Sequence, residues 1–74
     1  MVSLSIEVDR VYLRRLTDLR IDHDLTQQHV ADILGCKREV YRRYEKGTRM
    51  IPVDYLIKLA DYYGVSVDYL LNRE

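Results

Sequence analysis

The segment from Leu25 to Gly47 constrains the fold most strongly, because its pattern predicts two short amphipathic helices joined at Gly35. Thr26 is suited to cap the first of these helices, and the second runs from about Lys37 to Lys46. The inward positions of the first are Val30, Ala31, Ile33 and Leu34; the second buries Tyr41 and Tyr44. Each helix is followed by a glycine, the residue that most easily adopts the left-handed conformation of a helix C-terminus.

The same periodicity predicts three further helices. The first runs from about Asp9, a plausible N-cap, to Asp22 and stops near Asp24, because aspartate tolerates a left-handed backbone better than most residues. Pro52 suits the first turn of a fourth helix, which ends at Gly64. Ser66 caps a short fifth helix. The inward residues of these helices are Tyr12, Leu13, Leu16, Leu19, Leu56, Leu59, Ala60 and Tyr63, and the fifth helix contains Val67, Leu70 and Leu71. The predicted fold is therefore all-α, a compact five-helix domain over residues 9–74.

Residues 1–8 depart from this helical pattern. Val2, Leu4, Ile6 and Val8 alternate with polar residues, which is the two-residue period of a β-strand. A single strand has no partner in an all-helical chain. Residues 1–8 are therefore either a terminal arm or a strand that pairs with its twin in a second subunit.

Length and composition exclude several classes of function. A chain of 74 residues builds one small core, and it contains no apolar run long enough to span a membrane. Met1 is not followed by an export signal, so we expect a cytoplasmic protein. The single cysteine, Cys36, forms no intrachain disulfide, and His23 and His29 lack partners for a metal site. No catalytic pattern is present. We expect no enzyme activity, metal, cofactor or small-molecule ligand.

The charge is distributed unevenly along the chain. Net charge is zero, yet residues 37–49 hold six basic residues and two acidic ones. The basic residues are Lys37, Arg38, Arg42, Arg43, Lys46 and Arg49, and the acidic ones are Glu39 and Glu45. A cationic, exposed helix following a glycine-joined partner has the shape and charge to enter the DNA major groove.

Five features in order and spacing resemble the phage-repressor type of helix-turn-helix domain, the Cro or XRE family, from about Leu13 to Leu71. These features are Leu25-Thr26-Gln27, Ala31 four residues before Gly35, Tyr44-Glu45-Lys46-Gly47, Ile51-Pro52, and Leu59-Ala60-Asp61 followed by Gly64 to Leu71. The resemblance implies that residues 37–46 form a recognition helix. It also implies an ion pair between Arg20 and Glu45 that fixes the angle of this helix.

The resemblance further assigns DNA-reading roles to individual residues. Side chains expected to reach base edges are Arg38, Glu39 and Arg43. Side chains expected to contact phosphate or brace the recognition helix are Gln27, Gln28, Lys37, Arg42, Lys46, Thr48 and Arg49.

Three residues depart from the family pattern. Lys37 stands where relatives usually have Ser or Thr, so the recognition helix loses an N-cap and gains a cation at its positive end. A phosphate bound nearby would offset the cost. Tyr41 replaces an aliphatic residue, and its hydroxyl needs water, a polar partner or a phosphate. Asp24 replaces a frequent glycine.

These features predict a sequence-specific double-stranded DNA-binding protein that acts as a small transcriptional repressor or regulator. We expect a homodimer on a palindromic operator, with half-sites about 34 Å apart. Val67, Leu70 and Leu71 are candidates for the dimer interface, and the arm is a second candidate. Each of these two regions can equally be interpreted as part of the core of one chain. The alternative is a protein-interaction module on the same fold, such as an antitoxin, which the zero net charge and uncapped Lys37 keep open.

Overall fold

The computed structural model describes residues 13–73, which fold into five α-helices without a strand. The helices are α1 (Arg14–Asp22), α2 (Gln27–Leu34), α3 (Arg38–Lys46), α4 (Val53–Tyr63) and α5 (Val67–Leu70). The predicted all-α class is confirmed. Residues 1–8, Asp9 and Tyr12 lie outside the described residues, as does the choice between arm and strand.

Helix α1 begins later than the sequence pattern predicts. Leu13 has φ −89° and ψ 69°, outside the helical region, so the helix starts at Arg14. The prediction of a continuous helix from Asp9 is therefore wrong at Leu13. The Leu13 side chain is nevertheless buried, and its carbonyl accepts a hydrogen bond from the amide of Leu16. Apolar spacing identified the buried face but could not detect the break, because a capping residue can project its side chain toward the same core.

The helix ends follow the predicted chemistry. Gly35 has φ +78°, and no atom lies within 4 Å of the position a Cβ would take. The positive φ, and not crowding, therefore explains the glycine at this turn. After α1, Asp24 adopts the left-handed region with φ 57°, as predicted.

The helix starts differ from one another. The Thr26 hydroxyl accepts a hydrogen bond from the His29 amide at 3.0 Å, and Ser66 accepts one from the Tyr69 amide at 2.9 Å. Lys37 is the N-cap of α3 and makes no side-chain capping hydrogen bond. Pro52 is predicted to lie in the first turn of α4. In the structure it is the N-cap, one residue before that turn begins.

A single core joins the helices. Helix α2 packs on α3, α1 contacts α3 and α5, and α4 contacts α2 and α5. The core residues are Leu13, Leu16, Val30, Ala31, Leu34, Tyr41, Tyr44, Ile51, Leu56, Leu59, Ala60, Tyr63 and Leu70. Ile33 is only half-buried and lies outside this core, so its predicted inward position is wrong. Among the described helices, none is long and apolar enough to cross a membrane.

Candidate nucleic-acid interface

Helix α3 separates a buried face from a charged, exposed face. Tyr41, Tyr44 and Glu45 are buried beneath it. Because successive residues rotate by about 100° around a helix, the remaining polar side chains lie on the opposite side. These are Arg38, Glu39, Arg42, Arg43 and Lys46; Arg42 is half-buried and the others are exposed. Lys37 precedes the helix, Thr48 and Arg49 follow it, and all three are exposed. The predicted DNA-contacting residues of α3 therefore share one face.

An enclosed ion pair fixes the inner side of α3. The Arg20 guanidinium donates from Nε to Glu45 Oε2 at 2.8 Å and from Nη2 to Glu45 Oε1 at 3.3 Å. Its Nη1 donates to the carbonyl of Leu25 at 2.9 Å. The arginine thus links α1, the loop that follows it and the last turn of α3, through the bidentate contact that the family resemblance implies.

Two more donors converge on the same carboxylate. Gln27 Nε2 donates to Glu45 Oε1 at 3.1 Å, and Thr17 Oγ1 donates to the same oxygen at 3.0 Å. Gln27 therefore contacts the end of α3 directly, whereas Gln28 donates to Asp32 on its own helix at 2.9 Å. Thr17 is absent from the site residues that the sequence predicts. The available signal was its position three residues before Arg20, on the same helical face.

These contacts keep Glu45 ionised. Burial alone raises the pKa of Glu45, but hydrogen bonds, that from Arg20 first among them, outweigh burial and hold the pKa below its ordinary value. The same hydrogen bond raises the pKa of Arg20. The Glu45 carboxylate is therefore buried, and hydrogen bonds from protein donors stabilise its charge in place of water.

Two tyrosine hydroxyls lie in this region. Tyr41 is fully buried, and its hydroxyl, near the Glu45 carboxylate, has no partner in hydrogen-bonding geometry within residues 13–73. Burial foremost, with the nearby carboxylate, raises the pKa of Tyr41 strongly. The Tyr63 hydroxyl is also buried without a hydrogen-bond partner among the described residues, and burial raises the pKa of Tyr63 to about 12. The expectation that a DNA phosphate could serve Tyr41 is wrong, because the side chain does not reach the surface.

A second, exposed ion pair lies on the outer face of α3. Glu39 accepts from Arg42 Nη2 at 2.5 Å and from Arg42 Nε at 3.4 Å, and it lies 3.7 Å from Arg43 Nε. The hydrogen bond from Arg42, ahead of the surrounding charges, lowers the pKa of Glu39. Glu39, a predicted base contact, is therefore paired with Arg42, a predicted phosphate contact, and lies within ion-pair distance of Arg43. No ion pair within residues 13–73 involves Lys37, Arg38, Lys46 or Arg49.

The loop after α3 folds back on the end of that helix. The Thr48 amide donates to the carbonyl of Arg43 at 3.1 Å, and the Thr48 hydroxyl contacts the same carbonyl at 3.4 Å. These contacts hold the start of the loop beside the exposed face of α3. Arg49, the next residue, is exposed.

Comparison with known proteins agrees with this geometry. A family model described as helix-turn-helix matches residues 16–70, which is most of the chain. The chain belongs to the helix-turn-helix family, of the Cro and XRE type. No solved structure matches the chain.

The helix-turn-helix relatives carry regulator names. The chain is 41% identical over 62 residues to YobD of Bacillus subtilis, named an uncharacterised HTH-type transcriptional regulator, covering 84% of this chain and 55% of YobD. It is 36% identical to RstR of Vibrio cholerae, the transcriptional repressor of the cryptic phage CTXphi, over 84% of this chain and 56% of RstR. It is 40% identical to AnsR of Bacillus subtilis, an HTH-type transcriptional regulator, over 84% and 53%. The chain thus spans about half the length of these relatives.

Proposed function

We propose that this chain binds double-stranded DNA in a sequence-specific manner and acts as a small cytoplasmic transcriptional regulator, most simply a repressor, with α3 in the major groove. The observation that carries the proposal is the single exposed face of α3, which holds four cations and one carboxylate over a buried face. The major groove is wide enough to admit an α-helix such as α3. The regulator names of the relatives support the same function.

The side chains of α3 suggest how bases would be read. Arg38 and Arg43 can each donate two hydrogen bonds to the O6 and N7 atoms of guanine, and Glu39 can accept from the amino group of cytosine. The remaining cations and polar groups are proposed to contact the sugar-phosphate backbone or to brace α3: Gln27, Gln28, Lys37, Arg42, Lys46, Thr48 and Arg49. Backbone contacts position the protein without selecting sequence.

The enclosed Glu45 centre supports specific rather than loose binding. The hydrogen bonds from Arg20, Thr17 and Gln27 fix the last turn of α3 relative to α1 and α2 before any ligand is present. A recognition helix held in one orientation loses less conformational entropy on binding. A rigid α3 can therefore distinguish operators through small differences in contact geometry.

We also propose a homodimer on a palindromic operator, because one recognition helix makes few base contacts. Of the candidate interface residues, Leu70 is completely buried within one chain and has no surface for a second copy. Val67 and Leu71 are half-buried and retain part of theirs. The proposed dimer contact at α5 is therefore restricted to these two side chains.

Selection of binding sites from random duplex DNA at about 0.15 M salt tests the proposal. An enriched palindrome is the expected result. On that sequence, R38A and R43A should each relax preference at particular base pairs, at a cost of about 1–3 kcal/mol. R49A should weaken binding to all sequences and reduce the slope of log affinity against log salt by about 1.

The same experiment separates the alternative. If no sequence is enriched and none of the three arginine variants changes DNA affinity, DNA binding is refuted and the protein-interaction module becomes the better interpretation. The matched control is K58A, which removes an exposed cation from α4 and leaves every side chain of α3 in place. Loss of binding in K58A equal to that in R38A would show a general charge effect instead of base reading.

Sedimentation equilibrium tests the dimer. V67D should shift the protein toward monomer, whereas I57D, which places the same charge on an exposed apolar residue of α4, should not. Dissociation by I57D alone would place the interface on α4. Circular dichroism of both variants checks that each one is folded.

A further inference from the structure

We propose that Glu39 is a specificity-determining residue that acts by competing with DNA phosphate for the arginines of α3. The inference rests on the proposed DNA-binding function and concerns the regulation of that same surface. In this arrangement, the free protein holds Arg42, and less closely Arg43, on an internal carboxylate. Only a DNA sequence that offers Glu39 a hydrogen-bond donor can release them without penalty.

The position of Glu39 on the helix supports this role. Tyr41, Tyr44 and Glu45 define the buried side of α3, and at about 100° per residue Glu39 lies near the middle of the opposite side. Arg42 and Arg43 follow it by three and four residues, the spacing at which helical side chains meet. The carboxylate therefore lies between Arg42, a proposed phosphate contact, and Arg43, a proposed base contact.

The observed contacts occupy the donors of Arg42 that DNA would need. Arg42 presents two nitrogens to Glu39, Nη2 at 2.5 Å and Nε at 3.4 Å, and Arg43 Nε lies 3.7 Å away. Nε and one Nη form the edge with which a guanidinium pairs to a carboxylate or a phosphate. To bind phosphate through this edge, Arg42 must first give up Glu39.

The consequence depends on the DNA sequence. Opposite phosphates or the acceptor atoms of guanine, a released Glu39 faces negative charge and has no donor, which disfavours the complex. Opposite the amino group of cytosine or adenine, the carboxylate gains a hydrogen bond and the arginines are free to contact DNA. Glu39 thus penalises the wrong sequence in addition to contacting the right one.

The remaining cations show the contrast. Lys37, Lys46 and Arg49 are exposed and make no ion pair within residues 13–73, so they are available to phosphate on any DNA. Sequence-independent attraction therefore comes from both ends of α3, and the paired arginines at its centre add to binding only on a suitable sequence.

The variant E39Q tests this inference because glutamine keeps the shape and removes the charge. Binding is measured on the selected operator and on a shuffled duplex between about 0.05 and 0.3 M salt, a range that includes physiological ionic strength. On shuffled DNA, E39Q should bind about fivefold more tightly at about 0.15 M salt, the gain from one additional phosphate contact, and its salt slope should steepen by about 1. The ratio of operator to shuffled affinity should fall by at least the same factor.

Two controls isolate the mechanism. D61N removes one negative charge from the exposed face of α4 and frees no arginine, so it should change shuffled affinity much less than E39Q does. The double variant E39Q/R42Q lacks the released arginine and should lose most of the gain. A thermal melt of each variant confirms folding.

The outcomes distinguish this inference from the proposed function. If the wild type prefers its operator but E39Q leaves shuffled affinity and salt slope unchanged, or D61N matches its gain, the competitor role is refuted and DNA binding stands. If the wild type shows neither sequence preference nor salt-dependent binding, the proposed function fails and this inference fails with it.

Discussion

Helix α3 carries two glutamates six residues apart, each paired with arginine, and burial gives them different roles. The side chains of Glu45 and Arg20 are 5% and 15% exposed, whereas those of Glu39 and Arg42 are 50% and 33% exposed. A carboxylate removed from water must be satisfied by protein donors, and Glu45 has them from three side chains. Glu39 retains water as an alternative partner. The first pair is therefore enclosed by protein donors, whereas water can replace the partner in the second.

The largest expected difference between the two pairs is in stability. E45Q leaves the enclosed Arg20 without its carboxylate and should lower the free energy of unfolding by about 3 kcal/mol. E39Q should lower the unfolding free energy far less than E45Q does, because solvent screens the exposed pair. Urea denaturation of both variants measures the contrast. Equal losses would show that burial does not separate these two ion pairs.

Acid should weaken the buried pair selectively. Because the folded state lowers the pKa of Glu45, its stabilising contribution is present above the unfolded pKa and is lost as pH falls through the folded one. The stability difference between wild type and E45Q should therefore shrink below about pH 4. Denaturation at several pH values measures it, and the other carboxylates cancel in the difference. A constant difference down to about pH 2.5, well below the ordinary pKa of a glutamate side chain, would contradict the prediction.

The two adjacent glutamines provide a smaller test of the same contrast. Gln27 donates to the buried Glu45, and Q27A should cost about 1.5–3 kcal/mol, the range for a hydrogen bond to a charged group. Gln28 contacts Asp32 on the surface of its own helix, and Q28A should cost at most about 0.5 kcal/mol. Thermal unfolding compares the pair. A larger effect of Q28A than of Q27A would show that Gln28, and not Gln27, braces α3.

A smaller effect than those at Glu45 and Gln27 is expected at the start of α3, where stability and DNA binding should change in opposite directions. K37S supplies the missing cap and should stabilise the protein by about 1 kcal/mol. It also removes a cation beside the proposed phosphate contact, so DNA affinity and salt slope should both fall. T26A is the control, because it removes an existing cap and should destabilise by about 1 kcal/mol. A K37S variant that gained DNA affinity would refute the phosphate role of Lys37.

Local sequence signals predicted most helix ends in this protein. Thr26 and Ser66 cap the helices they precede, and Gly35 and Gly47 follow helices in the left-handed conformation. These features depend on a residue's own backbone and its near neighbours, which is why they could be read along the chain. The predictions failed at Leu13 and Ile33, where apolar character alone does not determine backbone angle or depth of burial.

The candidate site was harder to predict than the fold. Spacing on α3 was enough to place Arg38, Arg43 and Lys46 on an exposed helical face. The contact between Arg20 and Glu45 joins residues 25 positions apart, and only the family resemblance suggested it. Thr17 had no signal of comparable strength, because a threonine on a helix face is common.

The sequence by itself determined where the helices lie, how most of them begin and end, and that positive charge concentrates after Gly35. Tertiary structure alone decided the surroundings of each charge. It enclosed Glu45 among donors from α1 and α2, left Glu39 in solvent between two arginines, and buried Leu70 within one chain. The physical reason is that helix capping and amphipathicity are local properties, whereas the cost of a charge depends on the water and the donors around it. Those surroundings come from segments distant in the chain.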